Sequence, residues 1–131
     1  MSKEQYVTFE VARLLKDKGF DWECRAYWHE DDRELIESQS PCYLRNITNP
    51  CWFGNTAPTQ QMACRWFWEE KGLNINAIYG DYPSQKRSFW MPQIDSLDGC
   101  YGVDDEDFFR EYDSREDCIE AALEYALRNL I

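Results

Sequence analysis

Two stretches of this chain open on a threonine, carry apolar residues at helical spacing and close on a glycine, the first from Thr8 to Gly19 and the second from Thr59 to Gly72. A threonine hydroxyl accepts a hydrogen bond from the N–H groups that a helix start leaves unpaired. Glycine takes the left-handed backbone on which many helices end. Between these marks, Val11, Leu14 and Leu15 form one stripe and Met62, Ala63, Trp66 and Phe67 another. The spacing predicts helices over residues 8–18 and 59–71. Gly19 and Gly72 are expected at positive φ, with Phe20 folded back on the first helix and Trp68 lying off the apolar face of the second. A third helix is expected from Ser114 onward. Ser114 and Asp117 form a start resembling a capping box, and Glu116, Asp117 and Arg128 suit the helix dipole. Its buried stripe is Ile119, Ala122, Leu123, Ala126 and Leu130.

The segments between the helices read as strands. They cover residues 24–28, 34–36, 43–47, 73–79 and 87–94, with a short last one at 108–112. Leu73, Ile75 and Ala77 alternate with Asn74 and Asn76, the period of a half-buried strand. Glu30, Asp31 and Asp32 mark a turn, residues 80–86 a loop punctuated by Gly80 and Pro83, and Pro92 an edge or bulge. Strands in consecutive runs favour hairpins. The expected fold is therefore α+β: a mostly antiparallel sheet of about four to six short strands packed with three helices, in one domain over residues 1–131. The repeated order of helix, glycine and hairpin suggests two similar halves, although capping rules alone generate the same echo.

A formal net charge of −11 disfavours nucleic acid and anionic membrane surfaces, because phosphate contacts need Lys and Arg. It leaves a basic protein partner, a cation or plain solubility as the readings. Aromatic residues make up 16% of the chain and include six Trp, enough to build a core and still anchor an interface. The N-terminus carries no apolar signal segment, and no apolar run is long enough to span a bilayer. The six cysteines, Cys24, Cys42, Cys51, Cys64, Cys100 and Cys118, then read as reduced thiols of a cytoplasmic protein. Cys64 and Cys118 point into the core, and Cys100 sits in a loop.

Signatures of chemistry are few. The single histidine, His29, excludes a two-histidine metal motif. A zinc site from Cys24, His29, Cys42 and Cys51 is sterically conceivable but lacks closely spaced cysteine pairs. No metal or cofactor is expected, and no P-loop, dinucleotide or nucleophile-elbow motif occurs. Carboxylates are too numerous for any pair to mark a hydrolase. Two binding surfaces stand out. One is the acidic run centred on Asp104, Asp105, Glu106 and Asp107, which reads as a solvated loop and helix start, as a recognition surface for a basic protein that mimics nucleic acid, or as a divalent-cation loop, although it lacks the ligand spacing of an EF-hand. The other gathers Trp52, Phe53, Arg65, Trp68 and Arg87 near the second helix, before which Gly54 and Asn55 are expected in a loop; a nucleotide-like anion would stack and be clamped there, although Trp and Phe beside a helix start more often form a hydrophobic staple.

The segment YVTFEVARLLKDKGFDWECRAYW, followed by APTQQMACRWFWEEKGLNI and then SREDCIEAALEYALRNLI, resembles small proteins found in phages and prophages of gut bacteria. The shared pattern is a helix ending in KGF, an aromatic strand, an acidic turn, and then PTQQ leading into a tryptophan-containing helix. The likeness covers most of the chain. It implies a mobile-element origin and a bacterial cytoplasm, and it carries over no catalytic residue. The chain departs from the pattern in its many Cys and Trp, among them Cys51, Trp52, Cys64 and Trp68. The function that these readings support is a non-enzymatic accessory protein whose acidic surface binds a host or phage protein. The alternative is a binder or sponge for a nucleotide-like anion.

Overall fold

Helix α1 (Phe9–Asp17) begins where its cap stands, the Thr8 hydroxyl accepting from the Val11 N–H at 3.3 Å. A computed structural model of the protein describes residues 5–37 and 54–131. The helix closes on Gly19 at φ +92°, and the Phe20 N–H turns back to the Leu15 carbonyl at 2.9 Å. That return buries the Phe20 ring to 1% exposure, with Val11, Ala12, Leu14 and Leu15 forming the buried face of α1. Strand β1 (Ala26–His29) pairs antiparallel with β2 (Leu35–Glu37) and with β3 (Gly54–Thr56), giving the order β2-β1-β3. Helix α1 packs on β3. The Trp28 indole donates to the Val7 carbonyl at 2.9 Å, fixing the strand to the segment before the helix.

The chain divides into two compact units, Met1–Met62 and Ala63–Ile131, and the six strands among the described residues are shared between two three-stranded antiparallel sheets. Helix α2 (Gln60–Trp66) is capped by Thr59, whose hydroxyl accepts from the Met62 N–H at 3.2 Å. The expected α-helix over 59–71 holds to Trp66 and then widens into a π-helix (Phe67–Lys71) that ends on Gly72 at φ +69°. The wider winding coincides with burial of two neighbouring rings, Trp66 and Phe67, which meet edge to face at 5.2 Å.

Strands β4 (Asn74–Tyr82), β5 (Arg87–Ser96) and β6 (Gly99–Tyr101) form the second sheet in that order. The β4–β5 ladder is unbroken from Asn74↔Asp95 to Tyr82↔Arg87. The sequence reading ended β4 at Tyr79 and made 80–86 a loop. The strand instead runs through Gly80, which is covered by the Phe89 ring across the ladder. The turn is a short 3₁₀ segment (Pro83–Gln85) closed by Lys86 at φ +52°. Three further expectations are corrected. Strand β6, with Cys100 at its centre, was read as a loop. Residues 108–112 form no strand, although Tyr112 and Trp90 exchange backbone bonds of 2.9 and 2.8 Å. Likewise β3, read as a loop because of Gly54 and Asn55, is fully buried. The expected strand at 43–47 lies outside the described residues.

Pro92 is buried within β5 and pairs with Ala77. Trp90 turns its N–H and C=O toward Tyr112, away from β4, and alternation makes residue 92 face the same way. The proline thus falls between the Tyr112 bridge and β6, where no ladder N–H is required.

Helix α3 (Arg115–Asn129) starts at Ser114, whose hydroxyl accepts from the Asp117 N–H at 3.0 Å, and packs on β4 and β5. Its buried face is Cys118, Ile119, Ala122, Leu123, Ala126 and Leu127. Leu130, expected in that stripe, caps the helix and is half-buried, and Leu127 takes the inward place. Burial on the covered face of the hairpin fades along its length, from Ile75 at 4% and Ile94 at 1% to Tyr79 at 56%.

Candidate functional site

The acidic run forms one wall of a wide, shallow depression in the C-terminal unit. The lining is Cys100, Tyr101, Gly102 and Val103, then Asp104 to Asp107, and Tyr125 from α3. Gly102, at φ +82°, turns the chain over the Phe108 ring, and a Cβ there would meet that ring at 2.7 Å. Phe108 stacks on Tyr125 at 4.3 Å, which holds the floor in place. Asp105 organises the loop. Its carboxylate accepts from the Asp107 N–H at 3.0 Å, and its carbonyl accepts from the Phe108 and Phe109 N–H groups at 3.1 and 2.7 Å. The side chains of Asp104, Glu106 and Asp107 are exposed.

Among the described residues, none of these four carboxylates forms an ion pair. The nearby Arg110 is turned elsewhere, its guanidinium 4.1 Å from the centre of the Tyr112 ring. The depression therefore joins an uncompensated acidic rim to the apolar surface of Tyr101, Val103 and Tyr125. Sequence reading found the carboxylates as a charge run but missed these apolar partners. Their one local signal is Tyr125, a ring on α3 outside the predicted stripe.

The second group of sequence candidates is dispersed. Trp52 and Phe53 lie outside the described residues. Arg65 is exposed and pairs with Glu69 at 3.1 Å, one helical turn away. Trp68 is 56% exposed and borders a depression with Asn74, Asp95, Ser96 and Leu97. Arg87 stands at the opposite end of β5 from Asp95, about 27 Å away at the usual rise per residue. The described geometry thus separates Arg87 from the neighbourhood of Trp68.

Arg87 belongs instead to a clasp. It donates to Glu111 at 2.8 Å and lies 4.9 Å over the Tyr82 ring, and the Tyr82 hydroxyl donates to the other Glu111 oxygen at 2.6 Å. The hydroxyl bond, then Arg87, holds the Glu111 carboxyl below its usual value. The same bond, then the carboxylate charge, raises the Tyr82 phenol. The clasp ties the hairpin tip to the segment that leads into α3.

Cys24, Cys64, Cys100 and Cys118 are free thiols. Burial pushes Cys24, Cys64 and Cys118 up to about 11, which suppresses the reactive thiolate at neutral pH, whereas Cys100 is exposed. Cys42 and Cys51 lie outside the described residues. The Nδ1 of His29 accepts from the Asp32 N–H at 3.4 Å within the acidic turn. Among the described residues no three His, Cys, Asp or Glu side chains converge on a metal-sized site. No described helix is long and apolar enough to cross a membrane. Compared with protein-family models, with curated proteins and with solved structures, the chain matches none.

Proposed function

We propose that this chain is a non-enzymatic accessory protein of phage or mobile-element origin that acts in the bacterial cytoplasm by binding another protein of basic character. The observation that carries the reading is the union, in one depression, of an acidic rim without ion-pair partners among the described residues with half-buried tyrosine and exposed valine surface. A long basic side chain is itself two-part, an apolar stem with a charged head. Tyr101, Val103 and Tyr125 suit the stems, and Asp104, Glu106 and Asp107 suit the heads. Opposite charge steers such an encounter and makes it sensitive to salt. The aromatic excess supplies anchors of the kind that dominate protein interfaces.

The test is affinity capture from bacterial lysate at low and high salt, with the wild type and the triple variant Asp104→Asn, Glu106→Gln, Asp107→Asn. Asp105 is kept because it organises the loop. The expected result is a partner that high salt releases and the variant fails to hold. A lysate with no salt-sensitive partner, or equal capture by the variant, defeats the reading.

A further inference from the structure

Strand β4 is a sheet edge of unusual character for so acidic a chain. Its even-numbered residues bond to β5, because Trp90 turns its own bonds to Tyr112 and leaves its β4 partner Tyr79 unbonded on that side. By alternation, the N–H and C=O groups of Ile75, Ala77, Tyr79 and Asp81 point outward. Among the described residues none of these groups has a backbone partner. Edges of this kind are normally guarded by lysine, proline, a bulge or short length. Strand β4 is nine residues long, contains no lysine or proline, and keeps its register without a bulge. Charged residues make up 30% of the chain, yet β4 carries one charge, that of Asp81. Ile78, Tyr79 and Tyr82 on it are exposed, at 47%, 56% and 37%.

We infer that β4 is the seam of a twofold dimer, in which a second copy of the chain adds its own β4 antiparallel and joins two sheets into one. The register follows from the pattern of outward groups. Centring the axis on Ile78 sets Ala77 against the second copy's Tyr79 and Ile75 against its Asp81. This is the pairing that engages all four outward residues, with about eight backbone bonds at two per bonded pair.

The charge pattern selects a second copy as the occupant. Two chains of net charge −11 repel wherever their surfaces meet broadly, and this strand offers nine residues with a single charge. In the centred register the two Asp81 side chains stand about 20 Å apart at the usual strand rise, well beyond the screening length. No like charges face each other along the seam. Each exposed Ile78 instead meets its twin on one sheet face, beside Met91, its ladder partner. Asn74, which borders the depression of Trp68, comes opposite Tyr82 of the second copy. Trp68 of one chain and Tyr82 of the other thereby come to one face, while Tyr79, by alternation, lies on the opposite one.

Sedimentation equilibrium of the full chain, from micromolar to millimolar concentration, tests the inference. The wild type is expected to pass from monomer to dimer and to stop there. Ile78→Lys places two like charges directly opposite and is expected to abolish the dimer while leaving the circular dichroism spectrum unchanged, since Ile78 is exposed in the monomer. Under mild oxidation, Ile78→Cys is expected to form a disulfide-linked dimer beyond the wild-type background. Residues facing each other in a non-hydrogen-bonded pair have Cα atoms about 4.5 Å apart, within disulfide reach. A monomer at every concentration, a dimer that survives Ile78→Lys, or an Ile78→Cys protein that cross-links no more than the wild type overturns it. None of these readings depends on the acidic depression, so this seam and the proposed partner site stand or fall separately.

Discussion

The β1–β2 and β4–β5 hairpins are built to one plan and differ in reach. Each follows a threonine-capped helix and a glycine of positive φ, and each turn ends on a cation held in left-handed backbone, Arg33 at φ +55° and Lys86 at φ +52°. The first hairpin has strands of four and three residues and the second of nine and ten. The short hairpin belongs to a small sheet whose buried strand β3 lies against α1. The long one is covered by α3 at its Ile75 and Ile94 end, and farther out its side chains cover one another. Tyr79 meets Trp90 at 5.3 Å, and Tyr82 meets Phe89 at 5.0 Å. The difference shows what sets exposed aromatic surface in so small a protein: strand length in excess of the helix that packs on it. That excess leaves β4 with apolar side chains beside an edge that pairs with no other strand among the described residues.

The largest expected effect separates the two sheets at their in-strand glycines. A Cβ at Gly54 lands 2.1 Å from the Trp28 carbonyl oxygen, which is backbone, whereas at Gly80 it lands 2.4 Å from the tip of the Phe89 ring. Gly54→Ala is expected to cost about 3 kcal/mol, the upper end for overpacking. Gly80→Ala should stay within ~0.5 kcal/mol of neutral, because a half-exposed ring can swing away and alanine suits a strand better than glycine. Urea midpoints measure both, and equal costs break the contrast.

Next come the glycines where the halves agree. Nothing lies within 4 Å of a Cβ at Gly19 or Gly72, so the penalty is purely conformational. Gly19→Val and Gly72→Val should each cost about 1–2 kcal/mol. A cost confined to one of them in thermal melts would end the parallel between the helix ends.

A smaller effect tests the two turns. Lys86→Gly relieves left-handed strain and is expected to stabilise by roughly 0.5–1 kcal/mol. Arg33→Gly is expected to gain about nothing, since the Arg33 guanidinium lies 4.8 Å over the Phe9 ring and that contact, worth ~0.5–1 kcal/mol, is lost with it. Identical melting shifts for the two would show that the Phe9 contact contributes nothing.

The smallest effect concerns the clasp, found on the long hairpin. Glu111 titrates below its usual 4.5 when folded, so its contribution is present above that value and fades as pH falls through the lowered one. Tyr82 titrates above its usual 10, so its contribution is present below 10 and fades as pH rises through the raised one. The clasp is expected closed between these limits. Carboxyl and phenol chemical shifts report it, and Glu111→Gln should return Tyr82 toward its ordinary titration. An unshifted Tyr82 in the wild type removes the clasp.

The helix caps were legible because their determinants are local. Thr8, Gly19, Thr59, Gly72 and Ser114 each act on groups a few residues away. Strands β3 and β6 were not legible, because three-residue strands owe their existence to distant partners. Gly54 and Asn55 read as a loop until β1 lies beside them. Gly80 reads as punctuation until Phe89 covers it. The π-helical turn leaves no mark in the spacing, since Met62, Ala63, Trp66 and Phe67 fit an α-helix equally well. At the candidate site the carboxylates were visible as composition. Tyr101, Val103 and Tyr125 were not, because their convergence depends on how β6 and α3 fold together.

Pro92 has a consequence for how the long hairpin assembles. A strand slipped by one residue turns every side chain to the opposite face. For β5 such a slip would send Ile94 to solvent and would also aim the proline nitrogen, which carries no hydrogen, into the β4 ladder. A nine-pair ladder with a four-residue connection could otherwise zip in neighbouring alignments of similar backbone energy. The proline penalises the misaligned alternative twice, once in lost burial and once in a missing bond. It serves as a proofreading residue, placed where the correct alignment bears no penalty for it.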